Sequence, residues 1–165
     1  MSISTTYPSY AIAIGSNRRG RHGHPCDEVR AAIAALPGVV AVSRLIETAP
    51  LGPSLRRFTN AAVLLQSAES PPAMLARLKA IERDFGRRRG QRWSARVIDL
   101  DIVLWSGGVW RDSALCVPHA AFRSRDFVLR PLAQIAPRWR DPLTARTIRQ
   151  LAMGLDKVDR TPIRS

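Results

Sequence analysis

The chain has 165 residues, 45% of them hydrophobic, and a formal net charge of +13 at pH 7 from 26 basic against 13 acidic residues. That length suits one domain with a core of its own, and no apolar run approaches the ~20 residues of a membrane-spanning helix. The opening "MSISTTYPSY" lacks the basic and apolar regions of a signal peptide, and Cys26 and Cys116 are too few for a disulfide framework, so a cytoplasmic protein is expected.

Of the 26 basic residues, 24 are arginine, and five of those fall in "GRRRGQRWSAR" (86–96). Arginine forks bind phosphate oxygens bidentately. Such a balance suggests a polyanionic partner: a nucleotide, a nucleic acid or an acidic membrane surface. An arginine-rich composition alone accounts for scattered residues such as Arg30, Arg77 and Arg146, and less well for the cluster.

In chain order, "YAIAIGSN" (10–17) alternates and then breaks, which predicts a strand running into a loop. "RRGRHGHP" (18–25) is a basic loop in which His22 and His24 are expected to be exposed. A helix is predicted over 27–36, capped near Cys26–Asp27 and stopped at Pro37-Gly38. Strands follow at 39–48 and 58–67, separated by the proline-containing loop 49–57. Ser70 precedes a helix over 71–86 with prolines at its start and Met74, Leu75, Leu78 and Ile81 as its apolar stripe. A strand over 97–104 and a hairpin turn at "WSGGVW" (105–110) come next. Short helical pieces and a last helix near 144–155 complete the chain, with 1–9 and 156–165 expected to be flexible tails around a single domain over 10–155. The order β-α-β-β-α-β predicts an α+β fold: a ferredoxin-like sandwich with both helices on one face of a largely antiparallel sheet, plus a C-terminal hairpin and helical extension.

The strand within "RWSARVIDLDIVLW" (92–105) carries two anions in an apolar setting. With a period of two, Ile98, Leu100, Ile102 and Leu104 share one face, and Val97, Asp99, Asp101 and Val103 the other. Asp99 and Asp101 then have Cα atoms about 6–7 Å apart on one side of the sheet. Two such carboxylates repel, more so if buried. They are stable if a cation lies between them, or if the strand is a half-exposed edge with both solvated.

Five landmarks carry a resemblance: "TAPLGP" (48–53), "FTNAAV" (58–63), "IERDFGRRR" (81–89), "RWSARVIDLDI" (92–102) and "VPHAAFRSRDFVLRPL" (117–132). In this order and spacing, from "AIGSN" (13–17) to "FVLRPLAQIAP" (127–137), the chain resembles the 6-hydroxymethyl-7,8-dihydropterin pyrophosphokinases of folate biosynthesis. The resemblance implies a ferredoxin-like fold. It also implies transfer of the β,γ-pyrophosphate of ATP to the pterin hydroxymethyl oxygen, leaving AMP.

By the same resemblance, Asp99 and Asp101 hold two Mg²⁺ ions that bridge the ATP phosphates, which suits a metal that prefers one or two carboxylates plus phosphate and water oxygens. Phe58 and Phe127 sandwich the pterin ring, while Asn60, the Thr48 side chain and the Leu51 backbone read its polar edge. Arg87, Arg89, Arg92 and Arg96 match arginines on a mobile loop that closes over ATP, with Arg87 and Arg96 stabilising charge in the transition state and Trp93 sealing the site. Glu82, Ile102 and His119 match residues near the nucleotide, and Arg125 reaches a phosphate or the pterin side. The implied partners are ATP as co-substrate and the pterin, with no nucleic acid, no membrane and a monomeric chain.

The chain departs from the family pattern in three places. It has "RWSAR" where "RWGPR" is usual, which changes loop stiffness. Ala120 and Ala121 follow His119 where bulkier residues or proline are common. The loop after Asn17 is longer and more basic. Three rival readings fit less well. A nucleotidyltransferase keeps its Gly-Ser and Asp-x-Asp motifs close in sequence, and here they are far apart. An RNA-binding domain of this fold needs aromatics on its central strands, which 39–48 and 97–104 lack. A catalytically dead pterin or nucleotide binder has no need of Asp99, Asp101, Arg87 and Arg96 together.

Overall fold

A computed structural model describes residues 6–48, 57–86 and 96–158. The elements are β1 (Ser9–Ser16), α1 (Pro25–Ala35), β2 (Val39–Val42), β3 (Ile46–Thr48), β4 (Phe58–Gln66), α2 (Pro71–Gly86), β5 (Asp99–Trp105), β6 (Trp110–Arg111), β7 (Cys116–Val117), α3 (Asp126–Ile135) and α4 (Ile148–Val158). The main sheet runs β2-β4-β1-β5, with β3 also on β4, and every pairing is antiparallel. β1 lies at its centre, with an unbroken register on β4 from Ser9↔Gln66 to Ser16↔Thr59.

β1 separates two cores by alternation. Tyr10, Ile12 and Ile14 point to the α1/α2 side, where they meet Val29, Met74, Leu78 and Phe85. Ala11 points to the opposite side, with Val128, Leu129 and Leu132 of α3 and Ile148 and Leu151 of α4. Each fully buried aliphatic side chain here contributes about 1.5–3 kcal/mol. The expected pair of helices on one face is α1 and α2. The other face, expected to look outward, is itself half covered, because the C-terminal pieces form two helices whose apolar stripes need a sheet to cover them.

Leu104 does not share a face with Ile98, Leu100 and Ile102 as strict alternation predicts. Ala11 pairs with Leu104 and Ile12 with Ile102, so Val103 is an extra residue in the ladder. This β-bulge turns Leu104 into the α3/α4 core beside Val103, and Trp105 returns to the first core. The predicted strand 39–48 is likewise two strands. At the break, the buried Ser43 donates its N–H to the Ala62 carbonyl, and its hydroxyl accepts the Ala62 N–H, both at 2.9 Å. A side chain there replaces a backbone partner.

Helix α2 matches its prediction, with Ser70 Oγ accepting the Ala73 N–H at 3.4 Å. Its buried stripe differs from the expected one: Met74 and Leu78 are buried, Leu75 and Ile81 only partly so, and Glu82 and Phe85 complete the stripe. The last helix begins later than expected because Thr144 is engaged in a turn, donating to Asp141 Oδ2 at 2.7 Å, and Ala145 has a positive φ of 61°. Thr147 and Gln150 then close a reciprocal cap, Gln150 N–H to Thr147 Oγ1 at 3.1 Å and Thr147 N–H to Gln150 Oε1 at 2.9 Å. Asp141 is fully buried and takes a two-pronged bond from Arg123, Nε at 2.6 Å and Nη2 at 2.7 Å. That pair pins the turn before α3 to the turn before α4.

Candidate active site

The large–small alternation of β1 also builds a cavity. On the α3 side the strand presents Ala11, Ala13 and Gly15, whose small side chains leave space between sheet and helix. Ala11 is filled over by α3. Beyond it, Ala13 and Gly15 form the floor of a cavity of about 420 Å³, walled by Thr48, Phe58 and Asn60 on one side and Asp99 and Asp101 on the other. Arg125, Phe127 and Val128, from the start of α3, close the third side.

The β3–β4 wall is flat and polar at its base. Thr48 pairs with Phe58 across the ladder, and Asn60 lies opposite both Ile46 and Gly15. Asn60 is 6% exposed and donates from Nδ2 to Thr48 Oγ1 at 3.3 Å. A Cβ at position 15 would lie 2.9 Å from Asn60 Oδ1, so glycine lets the amide lie against the backbone of β1. An amide both donates and accepts, and with one N–H engaged it keeps capacity for a ligand edge. Phe58 and Phe127 are both partly exposed and both line the cavity. The Arg125 guanidinium carbon lies 5.7 Å from the Phe127 ring centroid, a cation–π contact that holds a positive charge at the rim.

Across the cavity, Asp101 pairs with Ala13 and Asp99 with Gly15. β5 is an edge strand, and α2 reaches its free edge. Glu82, 5% exposed, accepts the buried Leu100 N–H on Oε1 at 2.9 Å, between the two aspartates. Its Oε2 accepts from Lys79 Nζ at 3.2 Å and Arg96 Nη1 at 3.3 Å. Arg96 Nε lies 3.8 Å from Asp99 Oδ1. Partial burial holds the Asp99 carboxyl above the usual carboxylate range. Arg96 opposes that shift, and the Glu82 and Asp101 carboxylates add to it. Two carboxylates at i, i+2 on one strand, an all-oxygen donor set facing a cavity, fit a hard divalent cation such as Mg²⁺. Among the described residues no third His, Cys, Asp or Glu joins them in a metal-sized cluster, so remaining ligands would come from substrate and water.

Of the residues named from the sequence, Thr48, Phe58, Asn60, Asp99, Asp101, Arg125 and Phe127 converge on the one cavity. Arg96 and Glu82 stand behind its acidic wall. The Ile102 side chain is 3% exposed and turned into the α1/α2 core, which leaves only its backbone for a ligand. His119 follows β7, donating its N–H to the Val103 carbonyl at 3.0 Å while Nδ1 accepts the Ala121 N–H at 3.1 Å. Leu51, Arg87, Arg89, Arg92 and Trp93 lie outside the described residues. Ala13, Gly15 and Val128 were not singled out from the sequence. The signal for the first two was present in "YAIAIG", where every second residue is small.

Comparison with known proteins gives a consistent answer. Residues 11–137 match the family profile described as 7,8-dihydro-6-hydroxymethylpterin-pyrophosphokinase (HPPK). A 2-amino-4-hydroxy-6-hydroxymethyldihydropteridine pyrophosphokinase of Synechocystis is 36% identical over 96% of this chain and 83% of its own length. The protein of that name from Pseudomonas aeruginosa is 40% identical over 79% of this chain and 82% of its own. Among solved structures, an HPPK-DHPS crystal structure in complex with substrates superposes with a TM-score of 0.71 over 93% of this chain, at 14% identity. This chain spans 44% of that longer one, and the likeness bears on the fold alone.

Proposed function

The chain belongs to the 7,8-dihydro-6-hydroxymethylpterin-pyrophosphokinase family, and from that premise we propose that the cavity between β1, β4, β5 and α3 is where its two substrates meet. The protein is an ATP-dependent diphosphokinase of folate biosynthesis. It transfers the β,γ-pyrophosphoryl group of ATP to the hydroxymethyl oxygen of 6-hydroxymethyl-7,8-dihydropterin and releases AMP. The observation that carries the site assignment is the convergence of an aromatic pair, an amide edge and two carboxylates on one cavity.

The pterin ring lies between Phe58 and Phe127, where stacking adds about 1 kcal/mol beyond area burial. Asn60, oriented by Thr48, pairs with the donor–acceptor edge of the ring. That orientation aims the hydroxymethyl group across the cavity at Asp99 and Asp101. Asp99 and Asp101 would hold Mg²⁺, two ions in this proposal, which when bound would supply Lewis-acid charge to the phosphate oxygens and the attacking hydroxyl. Glu82 keeps the strand between the two aspartates in place through the Leu100 N–H. Arg96 and Arg125 offer guanidinium charge to the phosphates from opposite sides. In the transfer, the hydroxymethyl oxygen forms a bond to the β-phosphorus as the bond from that phosphorus to the α-phosphate oxygen breaks. The hydroxyl proton passes to water, and AMP carries away the bridging oxygen.

Arg87, Arg89, Arg92, Trp93 and Leu51 belong to this proposal as phosphate, lid and pterin-backbone contacts respectively, with Arg87 joining Arg96 at the transition state, Ile102 and His119 beside the nucleotide, and the sheet as a ferredoxin-like one. The strand order β2/β3-β4-β1-β5, with α1 and α2 on one face, supports that last reading. A cytoplasmic, monomeric enzyme is the setting we propose; no helix among the described residues is long and apolar enough to cross a membrane.

The test is product analysis with ATP, Mg²⁺ and the pterin. AMP formed in step with pterin consumption supports the proposal. ADP formation, or AMP formed without pterin, contradicts it.

A further inference from the structure

The basic loop after β1 carries Arg19, Arg21, His22 and His24 exposed, as expected, but it is anchored from below. Gly20 and Gly23 bond to each other in both directions, N–H to carbonyl at 3.0 and 3.3 Å, which makes a tight hairpin with Arg21 and His22 at its tip. Glu28 of α1 is fully buried and grips that tip twice. Its Oε1 accepts the His22 N–H at 2.7 Å, and its Oε2 lies 2.8 Å from His22 Nδ1. The other sides of the tip rest on two elements of the site. The His22 ring packs on Phe85 in the last turn of α2 with centroids 4.7 Å apart, and Arg21 pairs with the adjacent Asp84 at 2.8 Å. Gly20 is pressed against Val97, so closely that a Cβ there would lie 2.7 Å from Val97 Cγ1 and 2.4 Å from Glu28 Oε1. Ser16 adds a bond from its hydroxyl to the Val97 carbonyl at 2.6 Å.

The hairpin therefore fills the wedge between the end of α2 and the start of β5, the two points that flank the arginine-rich stretch in sequence. Val97 is followed within two residues by Asp99, and Arg96 precedes it. We propose that His22 and Glu28 are positioning residues for the nucleotide half of the reaction. Through the hairpin they set where Arg96 and Asp99 stand relative to Glu82, and they leave the pterin half untouched. The inference rests on the functional reading above. A fully buried carboxylate that bonds the tip of a surface loop braces that loop, and the tip in turn meets Phe85 and Asp84 at the end of α2, while Gly20 meets Val97 beside Arg96. The pterin-side residues Thr48 and Phe127 belong to other elements, β3 and α3.

Asparagine places its Nδ2 where histidine has Nδ1, so His22→Asn keeps the bond to Glu28 and His22→Ala removes it. Binding is measured by calorimetry with Mg²⁺ and a non-hydrolysable ATP analogue, separately with the pterin, and alongside thermal unfolding. This readout does not depend on turnover, so it stands apart from the AMP-release test of the reaction itself. His22→Ala is expected to weaken nucleotide binding about ten-fold, since small misplacements of binding groups are costly. Its pterin affinity should stay within about two-fold of wild type, and His22→Asn should recover most of the nucleotide loss. Glu28→Gln keeps the acceptor for the His22 N–H and is expected to fall between the two. Unchanged nucleotide affinity in His22→Ala, equal loss for both ligands, or no recovery in His22→Asn overturns the proposal.

Discussion

Glu82 accepts the backbone N–H of Leu100 at 2.9 Å, from a helix face that is otherwise apolar. The residue it holds is the one between Asp99 and Asp101. A carboxylate on the core stripe of α2 thus takes the place of a neighbouring strand at the open edge of β5. The ladder would otherwise end with a buried, unpaired donor, which costs about 1–3 kcal/mol.

Glu82→Ala should lower stability by about 1–3 kcal/mol in urea unfolding and weaken Mg²⁺-dependent nucleotide binding. Glu82→Gln keeps the acceptor for Leu100 and should recover most of the stability while losing the attraction for Arg96 and Lys79. Equal stability in the alanine variant and wild type would show that the bond does not brace β5.

Asn60→Ala leaves the polar edge of a bound pterin without its partner in a buried site, at a cost of about 1–3 kcal/mol. Pterin affinity should fall about ten-fold or more, with ATP affinity little changed. Calorimetry showing the reverse pattern would mean that the two substrates have been assigned to the wrong walls.

Arg96 stands within 3.8 Å of Asp99 and 3.3 Å of Glu82. If its charge matters most as the pyrophosphoryl group moves, Arg96→Ala should lower the single-turnover rate more than it weakens ATP binding. A variant that loses only ATP affinity would reduce Arg96 to a ground-state contact.

Asp141 is held down to about 2 from 3.8, by the Arg123 hydrogen bonds first, then the Thr144 hydroxyl and the Leu143 N–H, against a burial cost that pushes it up. The folded state thus binds its proton more weakly than the unfolded chain. The stabilisation, about 2 kcal/mol, is present above pH 4 and lost as pH falls from about 4 to about 2. Urea unfolding of wild type and Asp141→Asn should differ most near neutral pH, and the difference should narrow across that window. A difference that stays constant down to pH 2 would contradict the link.

Several parts of this architecture are written locally, and others are not. The alternation in "YAIAIG" marks both the buried side of β1 and, through its alanines and glycine, the side that must stay open. The i, i+2 aspartates are equally direct, and so is the helix of α2, though not the place of Glu82 and Phe85 on its buried stripe. The cap of the last helix is there too, as Thr147-x-x-Gln150, although a start at 144 looks as plausible until Thr144 is seen bonded to Asp141. The bulge at Val103 is different. Nothing in "DIVLW" distinguishes an extra residue from continued alternation, because Val103 and Leu104 are both apolar and either face accepts them. The break at Ser43 depends on which strand lies beside it. The grip of Glu28 on His22 depends on a hairpin only two residues wide and on Val97, which is remote in sequence. Charge counting reads that loop as exposed, which it is, but cannot see the buried carboxylate that anchors it.

The central claim, that Asp99 and Asp101 form the acidic wall on which pyrophosphoryl transfer to the pterin takes place, is tested most directly by ³¹P NMR. ATP, Mg²⁺ and 6-hydroxymethyl-7,8-dihydropterin would be followed with wild type, Asp99→Asn and Asp101→Asn. The asparagines keep the shape of the wall and remove its charge. Wild type is expected to convert the ATP resonances to those of AMP and a pterin-linked diphosphate, and each variant to do so slower by orders of magnitude while still binding the pterin. Variants that turn over like wild type at saturating Mg²⁺, or a wild type that yields ADP instead, would contradict it.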